Sequence, residues 1–245
     1  MATFDVSIQP DYANESHADS HIPGESNRSR FTYALPGKHV KSWAYTYVKR
    51  AVDLVLGTMM LIVAMAPAIL IAAAIYLTSR GPIFYCEQRV GRNGRLFRIW
   101  KFRSMTHVQT TETKVRVGHH GDQALLWRVH KSVDDVRITK IGHILRRWSL
   151  DELPQLMNVL RGEMSLIGPR PVIQAEISLY GDFRLCYLAA VPGLSGLWQV
   201  SGRSNMAFPG RAKLDAYYVQ NWSLMADLSI FLRTIPAVLR RVGAR

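Results

Sequence analysis

The sequence predicts an α+β fold in two parts: a membrane-embedded re-entrant helix hairpin, and a small, mostly helical cytoplasmic domain with a β-hairpin and amphipathic surface helices. Three observations carry this expectation. Residues 54–77 form a 24-residue run without a charged side chain and with a proline near its middle. Two runs rich in aromatic and β-branched residues flank Asn93-Gly94. Leucine and methionine recur at helical spacing in the second half of the chain.

At 245 residues the chain is long enough for one sizeable domain with appendages. Hydrophobic residues make up 48%, an ordinary share for a protein that folds mostly in water. The charge is not ordinary, because 31 Lys and Arg face 18 Asp and Glu, a net of +13. It is also uneven: −3 over residues 1–37 and therefore +16 over the rest. Such a surface attracts polyanions, whether nucleic acid, anionic lipid headgroups or a phosphorylated substrate. Cys86 and Cys186 lie far apart without CxxC spacing, so neither a disulfide framework nor a zinc site is read from them.

Residues 1–37 are polar and mixed in sign, with Pro10, Pro23, Gly24 and Pro36, and read as a disordered N-terminal tail. The second region, 38–80, opens with Lys38, Lys41, Lys49 and Arg50 interleaved with Trp43, Tyr45 and Tyr47. Bases and aromatic rings together suit the headgroup depth of a membrane. The apolar run that follows exceeds the length that marks a membrane helix. A straight helix of that length would rise ~36 Å, enough to cross a ~30 Å hydrocarbon core. Pro67 argues against a straight helix, because it removes a backbone hydrogen bond and crowds the preceding turn. Each arm would then rise only about 20 Å. Both flanks are basic, which favours the cytoplasmic side for both ends. A re-entrant hairpin broken at Pro67 satisfies both conditions. A proline-kinked spanning helix and a buried core helix stay open at this point.

The third region, 81–245, reads as the cytoplasmic domain. PIFYCEQRV (82–90) and RLFRIWKFR (95–103) flank Arg92-Asn93-Gly94, and Asn-Gly is the strongest short hairpin signal. The hairpin carries Arg89, Arg92, Arg95, Arg98, Lys101 and Arg103. Residues 106–135 are polar and irregular and read as a loop. Helices are expected over 139–148 and from Ser149–Asp151 to about Leu160, with Leu153, Leu156, Met157 and Leu160 at i, i+3, i+4 and i+7. Turn residues follow at Gly168-Pro169-Arg170-Pro171, Pro192-Gly193, Gly196 and Gly202. Two amphipathic helices, roughly 207–220 and 223–241, close the chain. Each either packs on the domain core or lies on the membrane surface.

Asp151-Glu152, at the start of a helix, is the strongest local candidate for chemistry. Adjacent helical positions point about 100° apart, so the two carboxylates need not share a task. Ser149 to Glu152 also fits a capping box, and acids favour helix N-termini in any case. Arg170, between two prolines, is a guanidinium on a rigid turn, suited to gripping phosphate. Lys101 and Arg103 are further bases for an anionic substrate. Two acids, several bases and a membrane segment in one small chain suit a metal ion, phosphates and a lipid respectively. Neither a P-loop nor a GxSxG elbow is present.

Taken in order, these segments resemble the bacterial sugar transferase family. These monotopic phosphoglycosyl transferases initiate exopolysaccharide, O-antigen and glycoprotein glycan assembly. The matching stretches are Lys49-Arg50-x-x-Asp53, the interrupted apolar segment, residues 81–105 ending in KFRSM, residues 144–171 with SLDELPQ and GPRP, PGLSGLWQVSGR (192–203) and residues 214–234. The chain resembles the short, exopolysaccharide-initiating form that uses UDP-galactose or UDP-glucose.

The resemblance implies transfer of a sugar phosphate from a UDP-sugar to undecaprenyl phosphate, with release of UMP and a requirement for Mg²⁺. By position Asp151 matches the nucleophile that forms a covalent phosphosugar intermediate and takes part in holding the metal. Glu152 matches its dyad partner. Arg170 matches the GPRP arginine, and Lys101, Arg103, Gln199 and Arg203 match residues lining the substrate site. Pro67 matches the break of the re-entrant helix, although Ala66 stands where many members have serine. The implied location is the inner, cytoplasmic membrane of a bacterium, monotopic, with the catalytic domain on the cytoplasmic side. The implied partners are the UDP-sugar, undecaprenyl phosphate and inner-membrane lipids, with no nucleic acid; a homodimer is compatible with the sequence but not read from it. The rival from another class is a non-enzymatic basic membrane adaptor that binds anionic lipid or nucleic acid. It accounts for the charge and the apolar segment and leaves Asp151-Glu152 and Gly168–Pro171 without a task.

Overall fold

The computed structural model describes residues 35–106, 137–201 and 206–239. Most of the expected tail and of the polar loop 106–135 lies outside them, as does Arg203.

After short turns at Lys38–Lys41 and Ala44–Val48, the apolar segment forms one helix, α1 (Lys49–Thr78), which continues through Pro67. The helical assignment is therefore not divided into two arms at the proline. An interior proline removes one hydrogen bond, and the turns around it still close. α1 buries a single stripe. Lys49, Asp53, Gly57, Ala64 and Ile75 are buried, and Leu56, Met60, Leu61, Ala68, Ile71 and Ala72 pack against the domain between them. These positions recur at three- and four-residue steps, one face of a helix. The other faces expose Val55, Met59, Ile62, Val63, Ile69, Leu70 and Leu77. Only 6% of the most apolar window is buried, so the core-helix alternative fails.

The expected hairpin is present as β1 (Phe84–Val90) and β2 (Leu96–Phe102), antiparallel from Phe84↔Phe102 to Val90↔Leu96. Asn93 (φ 58°) and Gly94 (φ 76°) take the left-handed conformations that this turn demands. Period-two alternation buries Phe97 and Ile99 and leaves Leu96 and Arg98 exposed. The helix expected over 139–148 is α2 (Lys140–Arg147), capped by the Thr139 hydroxyl, which accepts from the Gly142 N–H at 2.9 Å.

The next helix departs from expectation. Ser149 (φ 56°) is left-handed, makes no capping bond and ends α2 instead of starting a new helix. A tight 3₁₀ turn, Leu150–Glu152, follows, and only then α3 (Gln155–Arg161). The capping-box reading of Ser149 and Glu152 is therefore corrected. The chain must reverse here, and a residue in the left-handed region makes that reversal in one step.

β3 (Ser165–Ile167) pairs in parallel with β4 (Gly193–Ser195). A 3₁₀ run (Gln174–Phe183), α4 (Arg184–Ala189) and α5 (Leu197–Ser201) complete the middle of the domain. Of the two closing helices, α6 (Phe208–Gln220) buries Arg211, Ala212, Asp215, Ala216, Tyr218 and Val219 and belongs to the core. By contrast, α7 (Leu224–Leu239) buries only Ala226 and Ile230 and exposes Met225, Leu228, Leu232, Ile235 and Leu239.

Candidate active site

Three elements bring the site together. The alternation of β2 puts Lys101 on the same face as Phe97 and Ile99, over the domain. The 3₁₀ turn after Ser149 carries Asp151 and Glu152 beneath it. Asn158 on α3 locks the two together. Its side-chain oxygen accepts from the Trp100 N–H at 3.1 Å, and its amide donates to the Arg98 carbonyl at 2.7 Å. Asn158 is fully buried, so losing either bond would strand a polar group in the core.

The third element is the loop Gly168–Pro171. The Gly168 N–H donates to the Ser195 carbonyl, and the Gly193 N–H donates to Pro169, both at 2.8 Å. At this crossing a Cβ on Gly168 would lie 2.4 Å from the Val191 oxygen, and one on Gly193 would lie 2.0 Å from the Gly168 nitrogen. Only glycine permits so close an approach. Beyond the loop, Tyr187 accepts from the Val172 N–H at 3.1 Å and donates to the Val90 carbonyl at 2.8 Å. Arg170 is thus presented from a backbone fixed on both sides.

Glu152 Oε1 accepts from Lys101 Nζ at 2.9 Å and from an Arg170 guanidinium nitrogen at 3.1 Å. Burial alone would raise the Glu152 carboxyl, but Lys101 and Arg170 outweigh it and hold the group well below the usual carboxylate range. Asp151 is different. It is buried, and its side chain makes no hydrogen bond or ion pair to a described residue. Burial, then the like charge of Glu152, push its carboxyl up; Lys101, Arg146 and Arg170 oppose that rise. Glu152 therefore stays an anion that holds two cations in place, and Asp151 is a carboxyl group that bonds to no described residue and lies within the electrostatic reach of Lys101, Arg146 and Arg170.

Of the expected site residues, the structure unites Lys101, Asp151, Glu152 and Arg170. Arg103 does not join them. Its guanidinium donates to the Ser79 carbonyl (2.7 Å), the Arg80 carbonyl (2.9 Å) and Ser79 Oγ (2.6 Å). It is buried at the exit of α1, where a cation completes the unpaired carbonyls at a helix end. Gln199 donates to the Leu194 carbonyl at 3.3 Å and stands at the foot of the Gly168 crossing, not against Asp151. Arg146 was missed. It donates to Ser104 Oγ at 2.9 Å and acts on Asp151. It lies in the last turn of α2, where bases are ordinary, so nothing in the pattern sets it apart.

Among the described residues no three His, Cys, Asp or Glu side chains cluster as a metal cage. Mg²⁺ needs no such cage, because it binds through one or two carboxylates and completes its shell with water and substrate phosphate. The uncommitted carboxylate of Asp151 fits that donor set; Glu152, taken up by two cations, does not.

The family model described as Bacterial sugar transferase matches residues 44–241. The exopolysaccharide production protein ExoY of Sinorhizobium fredii is 42% identical over 199 residues, 80% of this chain and 87% of that protein. Undecaprenyl-phosphate galactose phosphotransferase of Salmonella typhimurium is 43% identical over 199 residues, 81% of this chain but 42% of that longer protein. An Aeromonas hydrophila protein named UDP-N-acetylgalactosamine-undecaprenyl-phosphate N-acetylgalactosaminephosphotransferase is 37% identical over 216 residues, 85% of this chain and 48% of its own length.

Proposed function

The chain belongs to the bacterial sugar transferase family, and we propose that it moves a hexose-1-phosphate, galactose or glucose, from a UDP-sugar to undecaprenyl phosphate, releasing UMP and initiating an exopolysaccharide or related glycan. The carrying observation is the split pair: Glu152 neutralised by Lys101 and Arg170, and Asp151 buried, uncommitted and faced by bases. The rival adaptor reading gives this arrangement no task. The names of the Salmonella and Aeromonas relatives support the lipid acceptor and the sugar-phosphate cargo.

The reaction runs in two displacements. An Asp151 carboxylate oxygen attacks the phosphorus that carries the sugar, the bond to the bridging oxygen breaks, and UMP leaves with that oxygen. An acyl phosphate now links Asp151 to the sugar. A phosphate oxygen of the lipid then attacks the same phosphorus, forms the lipid diphosphate and returns Asp151 as a carboxylate. Two steps avoid holding two mutually repelling phosphates at once, one lipid-bound and one soluble. Lys101, Arg146 and Arg170 would stabilise the charge on the transferring phosphoryl group. Asp151 with the diphosphate oxygens would hold Mg²⁺, which neutralises diphosphate charge when bound.

Membrane attachment belongs to the same reading. Lys49, before the apolar run, and Ser79, after it, both bond to one domain, and the stripe between them lies on that domain throughout. This supports a re-entrant element that enters and leaves the inner membrane through its cytoplasmic face. The exposed apolar stripe of α7 supports an interfacial position for that helix.

The test is UMP release by detergent-extracted protein from UDP-galactose and UDP-glucose, with undecaprenyl phosphate and Mg²⁺. Asp151→Asn is expected to lower turnover by at least about 10³-fold, in keeping with loss of a nucleophile, while the protein still partitions into membranes. Full activity in that variant would remove Asp151 from the role. Phosphosugar trapped on the wild-type protein without lipid acceptor supports two displacements; failure to trap it favours direct attack by the lipid.

A further inference from the structure

A concave site lies away from Asp151, at the other end of α3. It is a cavity of about 180 Å³ lined by Tyr45, Lys49, Arg50, Asp53, Arg92 and Gly162 among others. Arg50 marks its position, because that side chain donates to the Val159 and Leu160 carbonyls, near the C-terminal end of α3. Asp151 and Glu152 precede the first residue of α3, so the length of that helix, about 10 Å, separates the two sites.

The charges lining this cavity are unevenly matched. Lys49 is paired with Asp227 at 2.6 Å, and Asp53 Oδ1 accepts from Ser165 Oγ and the Leu166 N–H. Arg50 has only carbonyl partners and no carboxylate among the described residues. Arg92 has neither. Its guanidinium lies 5.6 Å from the centre of the Tyr45 ring, and its Nε is buried without a hydrogen-bond partner among the described residues. A buried, unpaired donor on a charged group carries a cost that an acceptor entering the cavity would relieve.

Depth indicates the ligand. The lining residues of α1 and the turn before it span 45–53, immediately ahead of the apolar run that starts at Leu54. Trp43 and Tyr47, at 69% and 61% exposure, belong to the same stretch of chain, and aromatic side chains gather among lipid headgroups. The volume is close to that of a cavity that holds one benzene, about 150 Å³, so it admits a phosphate group but not a nucleoside diphosphate sugar. We propose that this cavity binds the phosphate of an anionic phospholipid headgroup, with Arg92 and Arg50 as its donors.

The site rests on the membrane placement of α1 proposed above and is independent of the transfer reaction. Its test uses the full chain in detergent, with the melting midpoint followed against short-chain phosphatidylglycerol, short-chain phosphatidylcholine and inorganic phosphate. Phosphatidylglycerol is expected to raise the midpoint of the wild type and of Arg95→Gln, a neighbouring change on the same turn. Arg92→Gln, with an unchanged midpoint in the absence of lipid, is expected to need about tenfold more phosphatidylglycerol for the same rise, as loss of a charge-assisted bond implies. An equal response in Arg92→Gln, an equal response to phosphatidylcholine, or a rise reproduced by inorganic phosphate alone would each overturn the proposal. Flotation with phosphatidylcholine vesicles tests the membrane placement separately, so its failure and that of the headgroup site are distinguishable.

Discussion

Burial acts on both carboxyls of the Asp151–Glu152 pair, yet their titrations diverge, because Lys101 and Arg170 bond to one of them and not to the other. The divergence has a kinetic consequence. In the proposed reaction attack requires the Asp151 carboxylate, so turnover should rise with pH as that raised group loses its proton. Arg146 lowers the Asp151 pKa, and Arg146→Gln should therefore raise it. The acid limb of kcat against pH, measured by UMP release at saturating UDP-sugar, should move to higher pH in that variant. An unmoved limb, or one shifted to lower pH, would sink this account of the pair. Asp151, Glu152, Lys101 and Arg170 were all legible as candidates because acids and bases of these types stand out in a short motif. What Glu152 does was not, since the spacing Ser149 to Glu152 is also that of a cap. The distinction depends on the conformation of Ser149 and on a lysine fifty-one residues away.

At the level of elements, the start of α1 is clamped by buried polar groups. Lys49 Nζ donates to Asp227 Oδ2 at 2.6 Å and to the Ile167 carbonyl at 2.9 Å. The Tyr218 hydroxyl and Trp222 Nε1 also donate to the Asp227 carboxylate, at 2.7 and 3.0 Å. Asp53, one turn on, receives Ser165 Oγ and the Leu166 N–H. α1 is thereby tied to β3, the strand that leads directly into Gly168–Pro171. Lys49→Met would leave Asp227, whose side chain is 14% exposed, without its cation, at a cost of up to about 3 kcal/mol. The expected outcome is a lower melting midpoint in detergent and weaker UDP-sugar binding; a midpoint equal to wild type would refute the clamp. The hairpin, α2 and both closing helices were readable from turn chemistry and periodicity. That α6 is core and α7 is exposed was not, because both are amphipathic and the pattern does not name the surface that each apolar face meets.

For the molecule as a whole, the decisive relation is α1 lying along one domain while it exposes its remaining faces. Under the membrane placement proposed above, a helix so attached would not leave the domain behind to cross a bilayer at right angles. Single cysteines placed at Thr46 and Pro82, in a background lacking Cys86 and Cys186, should both label from the cytoplasmic side of sealed inner-membrane vesicles. Labelling from opposite sides would mean a spanning helix and end the re-entrant reading. Local properties were already present in the chain: an apolar run too long for an ordinary core helix, a turn only Asn-Gly makes easily, and acids and bases in recognisable motifs. These depend on neighbours in sequence, so composition and spacing suffice. The course of α1 across its domain, the diversion of Arg103 to the exit of that helix and the recruitment of Arg146 depend on contacts between distant segments. Such contacts are chosen by packing and by the need to satisfy buried polar groups, and the fold had to be complete before either could be assigned.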